Sequence, residues 1–149
     1  MIFPWNKRTH EELDKIQCLL NKLAKSQKEL RMYKQVWDHS NDAMFILIAP
    51  DGIIMDANTS AEKLYGYKKQ ELLGMKITDL SDNPEATTGT FVNRLAYVPL
   101  RYHKNKDGDV FPITATVSFF KEMNGIENEY AVVMCRLITP EIKREICDE

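Results

Sequence analysis

From Thr9 to about Trp37 the chain contains neither Gly nor Pro, and most of its residues are strong helix formers. A helix of that length extends ~40 Å, further than one small domain can cover. Thr9 with Glu12 fits a capping box, each side chain satisfying a free amide of the first turn. Leu13, Ile16, Leu20, Leu23 and Leu30 alternate by three and four, the seam of a coiled coil, although the same frame meets Gln27 and Lys34. A second stripe, Leu19, Leu23, Leu30, Tyr33 and Trp37, runs beside it. Each leucine left in water forfeits ~1.5–3 kcal/mol relative to burial. The pattern therefore predicts a partner helix, and the simplest partner is the same helix of a second copy.

The rest of the chain suffices for one domain with a core of its own. Charge separates along this boundary. Residues 7–34 carry eight Lys/Arg against four Asp/Glu, whereas residues 35–149 carry twelve against eighteen. A basic helix is one way to touch nucleic acid, but few aromatics accompany these lysines, so a solvated face is expected and no nucleic-acid partner. The longest apolar run, Ala43 to Pro50, is too short to span a bilayer. The opening residues "MIFPWNKRTH" lack a signal-peptide core, which predicts a cytoplasmic protein. Cys18, Cys135 and Cys147 form no CxxC pair, and His10, His39 and His103 have no metal-ligand spacing, so no metal is expected.

Beyond Trp37 the hydrophobic period changes from helical to alternating. Met44 to Ile48 reads as a buried strand, turned by Pro50-Asp51-Gly52 into Ile53 to Asp56. Asn58 and Thr59 can both cap a short helix, with a capping box at Thr59–Glu62 and a left-handed stop at Gly66. Short helical turns are expected at Lys69–Leu73 and Ile77–Leu80, then a loop around Asp82-Asn83-Pro84. A weak helix from Thr87 to Tyr97 would face inward through Phe91, Val92 and Leu95. Three strands close the pattern, Val98–Lys104, Val110–Phe120 and Tyr130–Ile138, with turns at Lys106-Asp107-Gly108 and Asn124-Gly125. The last strand is apolar on both faces, which predicts a central strand covered twice, by short helices and by the long helix or a second subunit.

Asp51-Gly52, Ala57-Asn58, Ala61, Leu64-Tyr65-Gly66-Tyr67 and Glu71-Leu72-Leu73-Gly74, followed later by Lys106-Asp107-Gly108 and Phe111-Pro112, together resemble a PAS sensory domain. The similarity runs from about Val36 to Pro140. It implies an α+β fold: a five-stranded antiparallel sheet of order 2-1-5-4-3 with short helices on one face. The expected organisation is a tail at 1–8, a coiled-coil helix at 9–37, the PAS domain at 38–139 and the start of an output helix at 140–149. The resemblance also implies a homodimer through Leu13, Ile16, Leu20, Leu23, Leu30, Tyr33 and Trp37. It implies a downstream effector of the histidine kinase, cyclic-dinucleotide synthase or chemoreceptor type, reached through Leu137, Thr139 and Pro140. Members commonly end the last strand with Asp-Ile-Thr; here Leu137-Ile138-Thr139 stands in its place, without the aspartate that ties sheet to output helix.

Flavin-photoreceptor members carry a Cys in an Asn-Cys-Arg-Phe motif, and no Cys lies between Ala57 and Tyr97; haem-binding members use a histidine of the connecting helix, and Thr87–Tyr97 has none. Neither cofactor is expected. An unidentified small organic ligand would lie among Phe45, Leu80, Phe91, Leu95, Phe111 and Val117, with Arg94 or Tyr102 as polar anchors. The alternative is that these hydrophobes are a filled core, which makes the domain a ligand-free interaction scaffold. His39 and His103 read as polar edge residues. No nucleotide-binding loop, HExxH or GxSxG motif occurs, and no catalytic residue is expected.

Overall fold

A computed structural model describes residues 7–122 and 128–147. The chain divides into two units, Met1–Trp37 and Asp38–Glu149, each described by itself. The first holds most of helix α1, Lys7–His39, which contains no buried residue. The helix already includes Lys7, so Thr9 lies within it and not ahead of it. Leu13, Ile16, Leu20, Leu23, Leu30 and Tyr33 are all more than half exposed, and Trp37 is half-buried.

The second unit is an antiparallel sheet with short helices on one face. Its strands are β1 (Ala43–Ala49), β2 (Ile53–Ala57), β3 (Tyr97–Lys104), β4 (Val110–Lys121) and β5 (Glu129–Leu137), in the order β2-β1-β5-β4-β3. Helices α2 (Thr59–Tyr65), α3 (Lys69–Leu72) and α4 (Pro84–Val92), with a 3-10 turn at Ile77–Leu80, form the other layer, and α5 (Pro140–Cys147) leaves the sheet. The predicted turn at Asn124-Gly125 lies outside the described residues.

The strands alternate as their period requires. Phe45 and Leu47 of β1, Ile113, Ala115 and Val117 of β4, and Ala131, Val133 and Cys135 of β5 are buried toward the helices. The opposite face of the central strands, Met44, Ile46, Val132 and Met134, is half-buried. Turn chemistry follows the sequence closely. Gly66 ends α2 at φ 73 and Gly108 closes the β3–β4 turn at φ 87, both in the left-handed region that costs glycine least.

Asn58 joins the two layers. It has no solvent exposure, and its Oδ1 accepts from the Ala61 amide at 3.0 Å, capping α2, and from the Met44 amide at 2.9 Å. Its Nδ2 donates to the Asp42 carbonyl at 2.9 Å. The cap is thus Asn58, not a box built on Thr59.

The greatest departure from expectation is α4. Asn83 caps it by accepting from the Ala86 amide at 3.0 Å, and Pro84 occupies the first turn, where its missing N–H costs nothing. What reads as a loop is therefore a helix start, and the helix is over by Val92. Arg94 turns the chain at φ 52, with its amide donating to the Phe91 carbonyl and the Leu95 amide to the Thr90 carbonyl. That closing pattern normally uses glycine. The buried face of α4 is Thr87, Thr90 and Phe91; Val92 and Leu95 point outward, at 72% and 43% exposure.

Replacing Asn58 with Ala leaves two amides and a carbonyl without their side-chain partner. The expected loss of unfolding free energy is ~3 kcal/mol, from cap and buried-polar terms of ~1–3 kcal/mol each. Urea denaturation of wild type and Asn58→Ala measures it; a loss below ~1 kcal/mol would show that water replaces the amide at little cost.

Candidate functional site

Edge strand β3 carries the residues that make the interior chemically distinctive. Its pairing with β4 shifts register between Val98 and Arg101: Val98 faces Ala115, but Arg101 faces Ile113. The extra residue lies at Pro99-Leu100, a bulge on an edge strand, where a proline that cannot donate to the ladder is tolerated. Uninterrupted alternation from Val98 would send Tyr102 inward. The bulge reverses the phase, so Arg101 and His103 share the inner face with Ile113 and Phe111 while Tyr102 pairs with Pro112 on the other side.

Between this strand, α4 and the inner face of β4 and β5 lies a cavity with about 30 Å³ of space for water centres. That is room for one or two water molecules. Phe91, Val98, Ile113, Ala115 and Val117 make much of its wall, and its polar lining is Thr87, Thr90, Arg101 and His103. Arg101 Nη2 donates to Thr90 Oγ1 at 3.1 Å, and the Thr90 hydroxyl donates to the Ala86 carbonyl at 3.2 Å. Thr87 Oγ1 donates to Ser81 Oγ at 2.7 Å.

His103 is 3% exposed, and its Nδ1 shares a 2.7 Å hydrogen bond with the buried hydroxyl of Tyr65. It is not the polar edge residue that its place beside a turn implies. Burial, helped by the Arg101 charge, pushes its pKa down to about 4. Burial pushes the Cys135 thiol up to about 12, a hydrogen bond from Tyr65 opposing the shift. Tyr65 is itself raised by burial and then by Cys135. At neutral pH all three are uncharged, which suits a satisfied buried polar cluster and not a nucleophile or general base.

The predicted pocket residues separate into three groups. Phe91 and Val117 line the cavity. Phe45 and Leu80 are fully buried core and Phe111 packs half-buried against it, with its ring 5.5 Å from that of Tyr65. Arg94, Leu95 and Tyr102 lie outside the core. Arg94 forms a two-pronged ion pair with Glu129 at 2.7 and 3.0 Å, and its guanidinium sits 4.3 Å from the centre of the Phe119 ring. It fastens the end of α4 to the sheet and anchors nothing inside. Leu137 lines a separate open groove of about 490 Å³ with Asn41, Ser60 and Lys63. Among the described residues no group of three His, Cys, Asp or Glu side chains could hold a metal ion.

Residues 41–136 match the family model described as PAS domain. The chain belongs to the PAS domain family. No curated protein matches it. A PAS domain from a two-component sensor histidine kinase aligns at TM-score 0.66 with 14% identity, covering 76% of this chain and 99% of that one. The PAS domain of a protein from Colwellia psychrerythraea aligns at 0.63 with 24% identity, covering 74% and 97%. A light-oxygen-voltage domain, solved in work on a flavin analogue, aligns at 0.57 with 17% identity, covering 76% and 90%. These likenesses are of fold. The cavity of this PAS domain, about 30 Å³, is smaller than an ordinary small-molecule site, which takes about 300–1,000 Å³. No helix of the described residues is long and apolar enough to cross a membrane.

The depressed His103 pKa has a stability consequence with a definite sign. As pH falls below about 6.5, the unfolded chain takes up a proton that the native histidine refuses until about pH 4. Native stability is therefore lost through that window, by roughly 2–3 kcal/mol at pH 4.5 from this residue. Urea denaturation at pH 7 and pH 4.5 should show a smaller loss in His103→Gln than in wild type. Equal losses would mean that the native histidine is not held neutral.

Proposed function

We propose that this chain is the sensory and dimerisation module of a cytoplasmic signalling protein, relaying a conformational change to an effector beyond α5. The observation that carries this reading is α1. A 33-residue helix with an entirely unburied leucine stripe leaves on the order of 10 kcal/mol of apolar burial unused. A second copy of the same helix covers the stripe with the knobs it already has, giving a homodimer through Leu13, Ile16, Leu20, Leu23, Leu30, Tyr33 and Trp37.

The output route proposed runs along β5 through Leu137 and Thr139 into α5, which starts at Pro140. In place of the aspartate missing at Leu137, Arg136 holds Asp42 through two bonds of 2.9 Å. Ile142 of α5 lines a surface pocket together with both of these residues. The pair joins the strand where the domain begins to the strand where it ends. Exposed on the arginine side, it contributes only ~0.5–1 kcal/mol, so a modest differential binding energy can displace it. A histidine kinase is the favoured effector, by analogy with the sensor kinase PAS domain of the same fold; a cyclic-dinucleotide synthase or chemoreceptor region would use the same relay.

The scaffold reading, with no small molecule, is favoured by how little of the core is empty. Native mass spectrometry separates the two, since retained extra mass requires a ligand. The dimer is tested by Leu20→Glu/Leu23→Glu, which places four carboxylates in one seam. Light scattering should report a dimer for wild type and a monomer of unchanged circular dichroism near 208 nm for the core domain. A wild-type monomer, or a variant that remains dimeric, would sink the α1 interface.

A further inference from the structure

We propose that the side of α1 facing away from its leucine stripe docks on an anionic lipid surface, through Lys22, Lys25 and Lys28 and the neighbouring Met32 and Val36. This docking goes beyond the sensor reading and uses the side of the helix that the proposed dimer leaves free.

Charge is segregated along α1. Glu11, Glu12 and Asp14 stand near its start, whereas residues 15–34 carry six Lys/Arg against a single acid, Glu29. A step of three residues turns ~60° back around a helix axis. Lys22, Lys25 and Lys28 therefore sweep ~120° of arc centred on Lys25, which lies ~160° around the axis from Leu23. All three are exposed, and none forms an ion pair among the described residues. Glu29 stands within the arc and lowers its charge without cancelling it. The remainder of the chain is acidic: residues 35–149 carry twelve Lys/Arg against eighteen Asp/Glu. Net attraction to an anionic surface thus belongs to this helix.

Two apolar residues point to lipid as that surface. Met32 and Val36, four positions apart, lie ~20° to either side of Lys25 around the axis. They are 57% and 68% exposed, and neither falls in the leucine seam. A phosphate backbone offers such side chains no apolar contact. The headgroup and acyl boundary of a bilayer does, beside its anionic groups. Lysines suit the same boundary, because their methylene stems bury against apolar surface while the ammonium stays at the headgroups. An ammonium on a flexible stem is a point charge that fits laterally mobile lipids, whereas fixed phosphates favour the arginine fork. From Lys22 to Val36 the contact runs ~21 Å along the surface, and α1 is not apolar enough to cross a membrane.

The test is co-sedimentation of the full chain with vesicles of equimolar phosphatidylglycerol and phosphatidylcholine, against vesicles of phosphatidylcholine alone. Binding is expected only to the anionic vesicles. It should fall steeply from about 0.01 M to about 1 M salt, as the screening length shrinks from ~30 Å to ~3 Å. Lys22→Gln/Lys25→Gln/Lys28→Gln should weaken it about 100-fold, from roughly fivefold per lysine near an anionic surface. Lys22→Arg/Lys25→Arg/Lys28→Arg, which keeps the charge, should bind nearly as wild type. Met32→Ser/Val36→Ser should bind about tenfold more weakly through lost apolar contact. Circular dichroism certifies the helix in each variant. The proposal is overturned by no binding to anionic vesicles, by equal binding to both kinds, or by unchanged affinity in the glutamine variant. It is also overturned if a short DNA duplex displaces the protein from the vesicles, which would make nucleic acid the partner. Light scattering without vesicles reports the dimer separately. The glutamine variant should remain dimeric while losing the vesicles, and a monomeric wild type that binds them supports this surface even where the seam fails.

Discussion

Asn58 stands where sheet and helices meet, and its side-chain amide serves a strand, a helix start and the segment entering the domain at once. Both ends of the amide are used, so a donor-only or acceptor-only residue could satisfy only part of the set. Once Met44 and Ala61 share one oxygen, the angle between β1 and α2 is set. Tyr65, at the other end of α2, is thereby delivered to the interior, where it meets Phe45, Phe111 and His103. The polar cluster around the cavity thus follows from a cap some 45 residues upstream in sequence.

The second constraint is the bulge in β3. A strand that had kept its period would have buried Tyr102 and left Arg101 and His103 in water. Shifting by one residue exchanges the whole set of side chains between faces. The interior accepts the histidine because Tyr65 supplies a partner and because the ring stays neutral. It accepts the arginine because Thr90 orients it while part of the side chain still reaches solvent. Neither residue looks like a core residue by type, and each is placed there by backbone register.

Arg94 illustrates a different economy of the chain. A non-glycine residue at φ 52 costs about 1 kcal/mol or more. The Glu129 pair and the contact with Phe119 offset that cost while locking the end of α4 against the β4–β5 region. An arginine near an expected pocket is easily taken for an anchor. Its role is decided by the helix ending one turn early, which carries Arg94 and Leu95 past the core.

The sequence by itself determined the long unbroken helix, the five strands, the helix stop at Gly66 and the turn at Gly108, because periodicity, caps and positive-φ glycines act over a few residues. It also marked the inner face of β4 and the membership of the PAS family, which rests on such local signals in a fixed order. The start of α4 was legible too, since Asn83-Pro84 is a cap followed by a first-turn proline, but the β-branched residues after it obscured the signal. Only the tertiary structure decided which residues of β3 face inward, since a one-residue bulge leaves composition unchanged and reverses every side chain after it; Pro99 was the one local hint. Only the tertiary structure brought Tyr65, His103 and Cys135 together from three distant segments, because burial and hydrogen bonding between them depend on how sheet and helices pack.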